Sequence, residues 1–211
     1  MSIGNIKNRL GIPRSTLSGW FKKVKLTKKQ RDELHRRWKN GLIKAREKAG
    51  QWHRNQKEIR LAKAKEDADV VINNLNLKNK NISELALAML YMGEGIKSND
   101  ETGMGNSDPL LLKTFLRILR NNYDLDIKKI RCELYLRADQ NADILKKFWA
   151  NELKLPLENF KYVNFDKRTA GIKTFADYKG VCMIRCSNVA IQRKLLNISN
   201  EFCKRIINMR G

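Results

Sequence analysis

Residues 87–95 read LAMLYMGEG, and the organisation of the chain follows from how this stretch is read. A helix is expected over about residues 83–93. Ala86, Met89 and Gly93 recur at i, i+3 and i+7, so they share one stripe of that helix. Glu94 then falls at the helix C-terminus, where a negative charge opposes the helix dipole. A carboxylate placed there against local preference needs a compensating partner, and a divalent metal ion would supply one. The plain alternative is a surface acid. The run LALAMLYM is the longest apolar stretch of the chain and is far shorter than the roughly 20 residues of a membrane span.

Downstream, short strands are expected at 95–98 and 102–106, bracketing a turn at Asn99-Asp100. Asp108 is placed to cap a helix with Pro109 at its first position, running to about Tyr123. IRCELYLR alternates with period two and reads as a strand, whose residues Arg131, Glu133, Tyr135 and Arg137 share one mixed polar and aromatic face that suits groove contact with DNA or an ordinary solvent face. Lys128 and Lys129 lie just before it. NADILKKFWANEL reads as an amphipathic helix, FKYVNF and KGVCMIRC as strands, and residues 188–209 as a closing helix. The strand pairs read as hairpins, so an antiparallel sheet is expected. The fold class expected is α+β.

The stretch at 87–95 resembles the LAGLIDADG motif of homing endonucleases, in a variant ending GEG. Leu87, Ala88, Leu90, Glu94 and Gly95 carry the likeness. Asn106-Ser107-Asp108-Pro109, Phe148-Trp149, Leu155-Pro156 and the late GVCMIRCSN strand are similar to that family as well, so the resemblance covers about residues 82–208. It implies a LAGLIDADG-type domain, an antiparallel sheet with helices, in which two motif helices pack closely and each ends in a carboxylate at the floor of a DNA-binding saddle. The two carboxylates hold Mg2+ or another divalent metal against the scissile phosphates. Carried over, Glu94 is the catalytic acid and metal ligand, Gly95 joins it at the metal site, and Lys97, Asn106 and Arg185 are candidate water-ordering catalytic residues. Met89 stands where the family often has Gly. One motif copy implies a homodimer through the 87–95 helix, with a palindromic or near-palindromic target.

Ahead of this domain, residues 3–23 read IGNIKNRLGIPRSTLSGWFKK. Ile6 and Leu10 are one turn apart, Gly11 can end a first helix in the left-handed conformation, Ile12 plugs the turn, and Leu17 and Trp20 face back from a second helix. This resembles the helix-turn-helix of resolvase-type proteins, although Lys7 replaces a usually small residue and almost no chain precedes Ile3. The likeness implies DNA contact by Arg14, Ser15, Thr16, Ser18 and Gly19, with Lys22, Lys23 and Lys25 near the backbone. Thr27 is a plausible N-cap for the next helix, in which Leu34 and Trp38 could complete a three-helix unit. Asn40-Gly41 suggests a break or kink, and residues 42–75 read as a long basic helix. The expected organisation is therefore an all-α helix-turn-helix at 1–26, a basic helical spacer at 27–80 and the endonuclease-like domain at 81–211.

The formal net charge of +22 is unevenly spread: residues 1–27 hold six basic and no acidic residues, and 28–80 hold 16 basic against 7 acidic. Double-stranded DNA is the partner such a field suits, with RNA a weaker alternative. No bulky apolar stripe accompanies the charge, so no membrane partner is expected, and with no signal peptide read at the N-terminus the expected location is cytoplasmic. Cys132, Cys182, Cys186 and Cys203 form no CxxC pair and read as buried thiols, with Cys182 and Cys186 on one strand face. His35 and His53 read as helix-surface residues. The expected function is a homodimeric, metal-dependent, site-specific DNA endonuclease of homing type. The alternative is a non-cleaving, sequence-specific transcriptional regulator that keeps the fold as a scaffold.

Overall fold

A computed structural model of the chain describes residues 1–98 and 100–209, and these divide into two compact units at Leu75/Asn76.

In the first unit, Ser2 accepts from the Asn5 amide and opens α1 (Ile3–Leu10). Gly11, at φ +70°, ends that helix in the left-handed region, a conformation that favours glycine because it lacks a Cβ. Pro13 leads into α2 (Arg14–Trp20), which winds into a 3-10 turn at Phe21–Lys23. Leu17 is buried and Ile6 and Ile12 are half-buried, but Leu10 and Trp20 are 61% and 63% exposed rather than turned inward. A full capping box between Thr27 and Gln30 starts α3 (Lys28–Asn73). At 46 residues it is about 69 Å long. It runs unbroken through Asn40-Gly41, where a break or kink is expected from sequence, so the break does not occur. One mid-helix glycine costs only about 1 kcal/mol relative to alanine, too little to stop a helix rich in Ala, Lys, Arg and Glu. No residue of α3 is buried, and Trp38 stays exposed instead of completing a three-helix core.

The second unit is α+β. Its order is α4 (Lys80–Glu94), β1 (Thr102–Asn106), α5 (Pro109–Tyr123), β2 (Ile130–Arg137), α6 (Ala142–Leu153), β3 (Phe160–Asp166), β4 (Val181–Cys186) and α7 (Val189–Asn208). The strands lie in the order β1-β4-β2-β3. β1/β4 and β4/β2 are antiparallel, but β2/β3 is parallel, which corrects the expectation of an antiparallel sheet throughout. The reason is α6: a helix between β2 and β3 carries the chain back to the starting end, as a parallel neighbour requires. The strand expected at 95–98 is reduced to one bridge, Gly95 with Met104, and Asn99 of the expected turn lies outside the described residues.

One face of the sheet is apolar and buried: Met104, Cys132, Leu134, Leu136, Cys182, Ile184 and Cys186. Apolar residues at helical spacing in all four helices close over it, among them Leu87 and Tyr91, Leu112 and Phe115, Leu145 and Trp149, and Ile191 and Leu195. The Trp149 indole N–H donates to the Lys179 carbonyl at 2.9 Å, so the largest core side chain is satisfied as well as buried. The four helices thus take one face, and the alternate residues of β2 and β4 are left on the other.

Candidate catalytic and nucleic-acid-binding site

The site is assembled where α4 ends. Tyr91 is fully buried, its ring stacked on Phe115 and its hydroxyl donating to the Ile96 carbonyl. The amide of Gly95 donates to the Tyr91 carbonyl at 2.8 Å. A Cβ at Gly95 would lie 2.5 Å from that same oxygen and against the Tyr91 ring. Its φ is an ordinary −75°, so space, not torsion, demands glycine. The chain leaves the helix pressed onto Tyr91, pairs with β1 at Met104, and sets Glu94 beside the end of that strand.

There the Asn106 amide Nδ2 donates to Glu94 Oε2 at 3.1 Å. Asn106 is itself held, because its Oδ1 accepts the Asp108 amide at 2.8 Å, while Asp108 Oδ1 accepts the Leu110 amide at 2.8 Å and caps α5. Lys97 Nζ donates to the Gly95 carbonyl at 3.1 Å. Glu94, Gly95, Lys97 and Asn106 therefore gather at one exposed helix end. Glu94 has one oxygen oriented by an amide and, among the described residues, the other without a hydrogen bond.

Arg185 is engaged elsewhere. It sits on the uncovered sheet face, 13% exposed at its side chain, with Nη1 on Glu101 Oε1 and Nε 3.1 Å from Glu133 Oε1. Burial works against its charge, and the two carboxylates outweigh that penalty and raise its affinity for the proton. Arg131 joins through Nη2 to Glu101 Oε2 at 2.8 Å, and the Tyr135 hydroxyl donates to Glu133 at 3.1 Å. Glu101 is the hub of this network and is the residue sequence reading missed. It lies outside any strand, and its partners are 30 and 84 positions away, so no periodicity reveals it. Arg131 and Arg137 each keep a buried Nε–H with no hydrogen-bond partner among the described residues.

Beside the site, Ala86, Met89, Met92 and Gly93 make an exposed, small or flexible stripe along α4, and a Cβ at Gly93 would meet nothing within 4 Å. In the first unit, Arg14, Ser15, Thr16, Ser18 and Gly19 are all exposed on α2, and Lys22, Lys23 and Lys25 follow them. His35 and His53 lie on α3 with their rings against Trp38 and Trp52. Among the described residues no three acids, histidines or cysteines form a group able to hold a metal ion. One chain offers a hard cation the Glu94 carboxylate, while the Gly95 carbonyl, expected from sequence at the metal site, already accepts from the Lys97 ammonium. Magnesium is usually held by one or two carboxylates plus substrate phosphate and water, so the donor set fits only when a second copy and a phosphate complete it.

No helix of the described residues is long and apolar enough to cross a membrane. Compared with protein-family models, curated proteins and solved structures, the chain finds no match.

Proposed function

We propose that the chain is a homodimeric, metal-dependent DNA endonuclease whose second unit is of the LAGLIDADG type. The observation that carries this reading is Glu94 at the end of α4, oriented by Asn106 and flanked by the unpartnered stripe of Ala86, Met89 and Gly93. Packing two such stripes together would bring two Glu94 carboxylates to one centre. A divalent ion bound there supplies charge neutralisation at a phosphate and an activated water. Asn106 orients Glu94, Lys97 adds positive charge at the helix end, and the partly exposed Arg131 could reach a phosphate. The exposed polar and basic residues of α2 would extend the footprint, with Arg14 able to pair with a guanine edge or a phosphate.

The test begins with duplexes selected by binding from a random pool. In magnesium the protein is expected to cut the selected duplex, and Glu94→Gln is expected to abolish cutting while binding persists. Cutting that survives Glu94→Gln removes that residue from the site. Binding without cutting in magnesium or manganese selects the transcriptional regulator. That reading is favoured by one observation, the exposed polar face of α2 with Arg14, Ser15, Thr16 and Ser18, which suits DNA reading without cutting.

A further inference from the structure

Phe175 is 87% exposed, and its ring makes no aromatic contact among the described residues. An aromatic side chain left in water by a loose loop needs no explanation, but this loop is tied down at several points. Thr174 gives Asp139 two hydrogen bonds, from its amide at 2.8 Å and its hydroxyl at 2.5 Å. The Thr169 hydroxyl accepts the Ala138 amide, Gln140 Nε2 donates to the Tyr178 carbonyl at 2.8 Å, and the Trp149 indole takes the Lys179 carbonyl. A turn closed by the Tyr178 amide on the Phe175 carbonyl at 3.1 Å holds the aromatic residue out. Gly180, at φ +73°, then packs its backbone against Leu136 and Tyr135, where a Cβ would lie 2.9 Å from the Tyr135 carbonyl.

The surroundings name the occupant. Residues 167–180, KRTAGIKTFADYKG, hold four basic residues against one acid. Lys167 and Lys173 form no ion pair among the described residues. The loop feeds β4 just before Cys182, the partner of Asn106, so it rises at the same end of the sheet as Glu94. An exposed apolar ring on a held basic loop suits a surface that is anionic outside and aromatic within. A base stack behind its phosphates has that chemistry, and apolar side chains inserted between base steps kink a duplex in known architectural complexes.

We propose that Phe175 is a wedge that enters a base step of bound duplex DNA, with Lys167 and Lys173 on the adjoining phosphates; this rests on the DNA-binding reading above. Full-length protein is titrated onto the selected duplexes carrying 2-aminopurine at successive positions. The wild type is expected to raise the fluorescence at one step in each half-site. Phe175→Ala is expected to lose that rise and to bind about 10- to 100-fold more weakly, the range set by aromatic stacking on a base. Phe175→Leu should keep part of both, and Asp139→Ala should weaken both by releasing the loop. Phe175→Ala that binds as tightly as wild type with the same fluorescence profile overturns the wedge and leaves the ring to a protein partner. Wild type that binds no duplex overturns the DNA-binding reading and this inference with it.

Discussion

The first unit carries the denser positive charge, +13 over residues 1–75 against +9 over residues 76–211, and the two units are stabilised in opposite ways. The second closes a core over one sheet face with bulky residues from four helices. The first buries Leu17 alone, and its 46-residue α3 buries nothing. What separates them is apolar spacing. In α5, Leu112, Phe115, Leu116 and Leu119 fall on one side of the helix. In α3 the corresponding turns carry Lys, Arg, Glu, Gln and Ala, so its helicity rests on propensity, the Thr27 capping box and exposed pairs such as Lys63–Asp67. A helix of this kind has no packing partner to make its melting cooperative.

The largest effect that would break this comparison is removal of a core anchor. Trp149→Ala should cost the second unit about 3–5 kcal/mol, since it opens a cavity and orphans the Lys179 carbonyl. Trp52→Ala, on an exposed turn of α3, should leave the cooperative urea transition unmoved. Equal losses from the two substitutions would mean that α3 is packed after all. Limited proteolysis along α3 gives an independent reading.

Next in size is a pair of glycines. Gly95→Ala should cost about 1–3 kcal/mol, because the new methyl meets the Tyr91 carbonyl and ring. Gly41→Ala meets nothing within 4 Å and should stabilise α3 by about 1 kcal/mol through propensity alone. Circular dichroism at 222 nm on heating distinguishes them, with a lower cooperative midpoint in the first case and a shallower loss of helix in the second.

Local chemistry was legible in the sequence where a few adjacent residues decide it. Thr27, Asp108-Pro109 and Gly11 mark helix ends, and the alternation of IRCELYLR assigns its two faces. Features that depend on distant chain segments were not. The direction of β3 depends on where α6 sets the chain down, and the strand at 95–98 shrank to a bridge because the Gly95 backbone is already committed to Tyr91. Leu10 and Trp20 carry the spacing of a packed helix pair, yet burial needs a third surface, and spacing cannot supply one. At the candidate site, Glu94 and its helix could be singled out by motif and dipole. That Arg185 would be held by Glu101 could not, because the pair joins positions 84 apart.

The smallest effect concerns two carboxylates that each hold two partners. Burial opposes ionisation of Glu84, but the Lys194 ammonium and the Tyr123 hydroxyl, both at 2.5 Å, outweigh it and hold its carboxyl below the ordinary glutamate value of 4.5. Hydrogen bonds from Arg37 and Arg36, both exposed, lower the half-exposed Glu33 on α3 in the same direction. A carboxyl whose folded affinity for the proton is depressed contributes stability above its unfolded pKa. That contribution fades as pH falls through the unfolded value and is gone below the folded one. Glu84→Gln should therefore lower the urea midpoint of the second unit at pH 7, and the gap from wild type should narrow below about pH 4.5 and vanish in stronger acid. Glu33→Gln should change nothing measurable in that transition at any pH, because water and salt screen an exposed pair and no core couples it to the rest. A gap for Glu84→Gln that stays constant into acid would assign its cost to lost packing rather than charge. A pH-dependent gap for Glu33→Gln would show that α3 unfolds with the second unit, and the contrast between the two units would then fail at its weakest interaction.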